Sequence, residues 1–138
     1  MSKADSLLKS TGAVITFFVA YSICVAIARI MVQLVNYEAQ GIWFNFLTYF
    51  EAVMAGIAGV YLGLTVVERW FPTVRPRTVV WVIIGLECLI WGFILFGLLM
   101  GTDLQDETPP QAIQALVSVI VAWKLTADDT EIRSDIHR

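Results

Sequence analysis

Three long apolar stretches, residues 13–35, 42–67 and 78–100, each contain a single charged side chain: Arg29, Glu51 and Glu87. Such stretches leave few options. As helices rising about 1.5 Å per residue they run about 34–39 Å, enough to cross a hydrocarbon core of about 30 Å. Composition agrees, since the 138 residues are 58% hydrophobic and only 15% charged, against about 25% charged in ordinary soluble domains. The pattern predicts one integral membrane domain over residues 1–138, with the lipid bilayer as its solvent.

A fourth apolar stretch, from Gln111 to Leu125, is only about 22 Å as a helix, which suits either a short span, the reading favoured, or an interfacial or re-entrant helix. Its ends are marked. Thr108-Pro109-Pro110 opens it, Asp106 and Glu107 sit at the positive end of the helix dipole, and Lys124 sits at the negative end. The expected fold is therefore an all-α membrane bundle of four transmembrane helices, about 13–35, 42–67, 78–100 and 110–125. A short N-terminal segment, 1–12, and a polar C-terminal tail, 126–138, flank it.

Basic residues set the expected orientation. Lys3 and Lys9 precede the first stretch, Arg69, Arg75 and Arg77 separate the second from the third, and Lys124, Arg133 and Arg138 follow the fourth. The other two connections carry Glu38, Asp103, Asp106 and Glu107 and no Lys or Arg. The positive-inside rule then puts both termini in the cytoplasm, which requires an even number of spans. Trp70, Trp81 and Trp123 fall at the expected inner boundary and Trp43 at the outer one, where indoles prefer to sit. Lys3, Lys9 and Ala26-Ile27-Ala28 also resemble a signal peptide, but the apolar pattern continues past Arg29 to Val35, so one span is the expectation.

Several function classes lose their footing. A net charge of −3 without a basic face disfavours nucleic acid as a partner. Cys24 and Cys88 form no C-x-x-C pair, and the only histidine is His137 at the far C-terminus, so no cofactor or metal is expected. No Ser/His/Asp set or glycine-rich phosphate loop is present, and the chain is expected not to be an enzyme.

Ionisable groups at membrane depth are costly, so each needs a partner. Arg29 lies roughly 7 Å beyond the middle of the first helix, and Glu51 roughly 6 Å from the middle of the second toward the same face. Antiparallel neighbours on a short loop pack together, so an Arg29–Glu51 ion pair is predicted from depth alone. Its simplest role is to fix helix register. Ser22, Arg29 and Asn36 recur every seven residues, with Ala26 and Gln33 between them, as one polar stripe.

On the second helix Asn45, Thr48, Glu51, Ala52, Ala55, Gly56, Gly59 and Gly63 fall within an arc of about 140°. Ala52, Ala55, Gly56, Gly59 and Gly63 give small-xxx-small patterns that mark a helix-packing face, within one chain or between copies. Glu87 lies near the middle of the third helix with no basic residue at its depth. It shares a face with Ile84, Trp91, Ile94 and Leu98, opposite Gly85, Cys88 and Gly92. It is expected first to hydrogen-bond Ser22, Ser118 or Gln114 inside the bundle. The alternatives are a polar group of another subunit or ligand, or a proton or cation.

Elsewhere, Glu68 and Arg69 read as a snorkelling boundary pair. Arg75 and Arg77 read as topology determinants, with anionic headgroups as a second use. In the tail, Ile132 and Ile136 are spaced for a short amphipathic turn.

The expected function is thus a non-catalytic scaffold or accessory subunit that acts through helix–helix association, as a homo-oligomer or within a larger membrane complex. The alternative is a small oligomeric proton- or cation-coupled transporter or channel using Glu87 and Glu51.

Overall fold

A computed structural model describes residues 2–35, 42–103 and 108–136, with the side chains of 42–44 and 128–136 outside that description. The fold is all-helical: α1 Lys3–Val35, α2 Ile42–Trp70, α3 Pro76–Leu99 and α4 Thr108–Ile136. Three of these are long and apolar enough to cross a membrane, over Lys3–Val35, Asn45–Trp70 and Pro76–Leu99. Helix α4, with its shorter apolar stretch, is not among them.

Local chemistry explains where the helices begin and end. α1 starts ahead of its apolar stretch because Ser2 caps it: Asp5 N–H donates to Ser2 Oγ (3.2 Å), and the Ser2 hydroxyl donates to Asp5 Oδ2 (2.9 Å). Most of the expected N-terminal segment is therefore helical. Pro76 opens α3 after an extended Arg75 (φ −71°, ψ 125°), two residues before the apolar run. α3 closes in a Schellman motif. Gly101 takes φ 90°, Thr102 N–H reaches Gly97 O (3.0 Å), and Gly101 N–H reaches Leu98 O (3.1 Å). α4 runs past Leu125 to Ile136 rather than ending in an irregular tail. Neither glycine nor proline interrupts residues 126–136, and the Thr126 hydroxyl bonds back to Ala122 O (2.8 Å).

Helix α2 is central, packing along α1 on one side and α4 on the other. The buried core gathers Ala13 and Phe17 of α1, Val60, Leu64 and Val67 of α2, Val79, Val80 and Ile83 of α3, and Ala122 of α4. All of it lies at the end where α1 and α3 begin and α2 finishes. Beyond Ile83 one side of α3 is open: Leu89, Phe93, Phe96 and Leu99 are exposed, and a Cβ on Gly85 or Gly92 would meet nothing within 4 Å, whereas Ile84, Glu87, Trp91, Ile94 and Leu98 along its other side are half-buried. Apolar exposure of this kind suits a helix facing lipid or another helix.

Candidate functional site

Helices α1 and α2 meet in one antiparallel register. The Phe17 ring covers Gly63, where a Cβ would fall 2.7 Å from Cδ2 and Cε2, and one turn on the Tyr21 ring covers Gly59, with Cδ2 at 2.7 Å. The two rings stack on each other, centroids 5.9 Å apart. Two turns further along, Arg29 Nε lies 3.9 Å from Glu51 Oε1. Each step of four along α1 is matched by four back along α2, so the glycines and the ion pair share one seam. At 3.9 Å the pair is a charge contact rather than a hydrogen bond. Its members differ in exposure: the Arg29 side chain is 46% exposed and that of Glu51 10%. Among the described residues, the buried Glu51 Oε1 has no hydrogen-bond partner.

The small-residue face of α2 is occupied within the chain. Ala52, Ala55, Gly56, Gly59 and Gly63 are all buried. A Cβ on Gly56 would lie 3.1 Å from Gln114 O and Ser118 Oγ of α4, while Gly59 and Gly63 face α1. Small residues let both neighbours approach one helix closely.

Sequence reasoning missed the side chain that ties these neighbours together. Tyr21 reaches across Gly59 from α1 to α4, where its hydroxyl is 2.8 Å from Ser118 Oγ. Gln114 Nε2 donates to Tyr21 Oη (3.0 Å), and the Ser118 hydroxyl also bonds Gln114 O (2.7 Å). The available signal was a lone tyrosine hydroxyl in an apolar span, level with the polar Gln114 and Ser118. Buried hydroxyls need such partners.

Glu87 finds a different partner from those expected. Ser118 and Gln114 are engaged with Tyr21 and Ser22 is exposed, so Glu87 Oε2 accepts instead from Trp91 Nε1 of its own helix (2.9 Å). At the other end of the bundle the indoles of Trp81 and Trp123 meet edge to face at 5.4 Å. Arg77 lies 3.9 Å over the Trp123 ring and its Nη1 reaches Thr126 O (3.5 Å). Expectations resting on Asn36, Glu38, Trp43, Asp106, Glu107 and His137, and on the side chains of Ile132, Arg133, Ile136 and Arg138, lie outside the described residues.

No family model matches this chain, and neither a curated protein nor a solved structure matches it. The functional reading therefore rests on the residues themselves.

Proposed function

We propose that this protein is a non-catalytic scaffold or accessory subunit of a membrane assembly, joined by helix–helix contact to further copies of itself or to a larger complex. In this reading α4 is a fourth span, and both termini and the 71–75 loop face the cytoplasm. The supports are the separation of basic and acidic connections and the close seating of Gln114 and Ser118 against Gly56.

The observation that carries the proposal is the position of Glu87. It sits half-buried on α3 beyond the buried core, and Trp91 of the same helix is its hydrogen-bond partner among the described residues. A carboxylate near the middle of a span costs about 2.5–3.5 kcal/mol on an insertion scale, so a protein surface that covers it is favoured over lipid. The small-residue face of α2 is already filled by α1 and α4, which leaves the exposed apolar sides of α1 and α3 for association.

The test is the mass and stoichiometry of the protein after extraction in mild detergent. Co-purification of further copies or of a larger partner is expected, and a lone monomer across detergents rejects the reading. One observation favours the transport alternative instead: Glu51 Oε1 is buried and lacks a hydrogen bond among the described residues. A pH-sensitive flux in reconstituted vesicles, abolished by Glu51→Gln or Glu87→Gln, replaces the accessory role with that one.

A further inference from the structure

The first turns of α3 gather cations and indoles at the level of lipid headgroups. Arg77 lies one residue before the apolar stretch 78–100, so its Cα stands about 18 Å from the middle of that stretch, just outside a hydrocarbon half-thickness of about 15 Å. Arg75, two residues earlier, is exposed. The turn that presents them is fixed. Phe71 and Val74 pack on the core, Val74 N–H donates to Phe71 O (3.0 Å), and Thr78 N–H donates to Arg75 O (2.9 Å). The Arg77 guanidinium is held 3.9 Å over the Trp123 ring, which in turn meets the Trp81 ring edge to face.

Steps of four residues lead from Arg77 into the bilayer along the open side of α3. Trp81, about 12 Å from the middle, is 58% exposed. Gly85, about 6 Å from the middle, leaves a notch where an added Cβ would meet nothing within 4 Å. Leu89, at the middle, is exposed. Cation, indole and apolar notch thus follow one another in the order in which a phospholipid presents its phosphate, ester and acyl chain.

We propose that this side of α3 seats one anionic phospholipid of the adjoining leaflet, with its phosphate against Arg75 and Arg77, its ester region beside the Trp81 indole and an acyl chain along Gly85. The seat does not depend on the association reading, and the proposed orientation only makes that leaflet the cytoplasmic one.

Charge selects the occupant. Two guanidinium groups in one turn favour a headgroup with net negative charge over a zwitterionic one, whose ammonium they repel. An indole suits the ester level, where its ring is in hydrocarbon and its N–H reaches polar oxygen. The Arg77 side chain is already ordered on Trp123, which lowers the entropy lost on binding. Arg69, at the end of α2, is also exposed, but the neighbouring exposed Glu68 offsets its charge. The lipid covers only the half of the open side nearer Arg77, so Phe93 and Phe96 stay available for association.

Native mass spectrometry of the whole protein in mild detergent, with equal amounts of phosphatidylglycerol and phosphatidylcholine added, tests this. A single phosphatidylglycerol adduct should exceed the phosphatidylcholine adduct by about tenfold or more, since each arginine near charged lipid is worth about fivefold. Arg75→Gln and Arg77→Gln should each lower that excess about fivefold. Gly85→Leu should weaken retention of both lipids by filling the notch, and Arg69→Gln should change nothing. Helix content by circular dichroism reports folding, and the exposed Arg75 tests the seat even where Arg77→Gln does not fold. Equal retention of the two lipids overturns the seat. So does an excess that falls as much with Arg69→Gln as with Arg75→Gln, which is diffuse attraction to a basic rim. An excess displaced by inorganic phosphate and indifferent to Gly85→Leu overturns it too, leaving a phosphate site without a lipid chain. Each of these outcomes leaves the association reading standing.

Discussion

The ring of Tyr21 covers Gly59, so close that a Cβ on the glycine would fall 2.7 Å from Cδ2, and its hydroxyl passes over α2 to Ser118 of α4 at 2.8 Å. One side chain thereby joins three helices. The glycine is the condition for the tyrosine: a larger residue at position 59 would lift the ring and withdraw the hydroxyl from α4.

Substitution of the seam glycines should be costly where a ring covers them and harmless where none does. Gly59→Ala and Gly63→Ala are expected to destabilise by about 1–3 kcal/mol, the usual range for overpacking. Gly85→Ala and Gly92→Ala, whose added methyl groups meet nothing within 4 Å, should be neutral or stabilising by up to about 1 kcal/mol through helix propensity. Thermal unfolding in detergent, followed by circular dichroism, measures all four.

Tyr21→Phe keeps the ring over Gly59 and removes only the hydroxyl. The expected loss is about 0.6–1.7 kcal/mol, in the range of interhelical hydrogen bonds in membranes. Combined with Ser118→Ala, it should cost less than the sum of the single changes, because both break the same contact. Additive losses in the same unfolding assay would separate the two residues.

Arg29→Leu strands the buried Glu51 carboxylate. Loss of a fully buried partner costs about 3–5 kcal/mol, and the 46% exposure of Arg29 reduces the expectation to about 1–3 kcal/mol. Arg29→Leu with Glu51→Leu should recover much of that, since no uncompensated charge remains. Unchanged insertion, folding and assembly of the single variant would show that the contact holds nothing in place.

At the other end of the bundle, Arg77→Gln removes the guanidinium from the Trp123 ring, and Arg77→Lys should restore part of the contact. A loss of about 0.5–2 kcal/mol is expected. A change in tryptophan emission, absent when Trp123→Phe is the background, assigns the effect to this pair.

The proposed orientation makes a labelling prediction. With Cys24→Ala and Cys88→Ala as background, Ser2→Cys and Ser134→Cys should react with a membrane-impermeant maleimide only after the cytoplasmic side is opened. Thr102→Cys should react in intact cells. Opposite protection of the two termini would mean an odd number of spans.

What was legible in the chain follows how far each signal reaches. Hydropathy is summed along a local window, so the three apolar helices stood out before any packing was known. Equal depth is also local, each residue being counted from the middle of its own span, and it led to Arg29 and Glu51. Side-chain partners between helices are another matter. Ser118 and Gln114 were expected for Glu87, yet they are bonded to Tyr21, because depth limits only the distance along the membrane normal and leaves lateral position open.

By itself, the sequence determined an apolar helical chain, the opening of α4 at Thr108-Pro109-Pro110, and a glycine-lined face on α2, each encoded by neighbours a few residues apart. Only the tertiary structure decided that α2 lies at the centre with α1 and α4 on its two sides, that Tyr21 spans them, and that α3 beyond Ile83 exposes the side carrying Leu89, Phe93 and Phe96. Those outcomes depend on how residues far apart in the chain fill common space, for example Tyr21 over Gly59 and against Ser118. Close packing is a property of the assembled volume, and no window along the chain contains it.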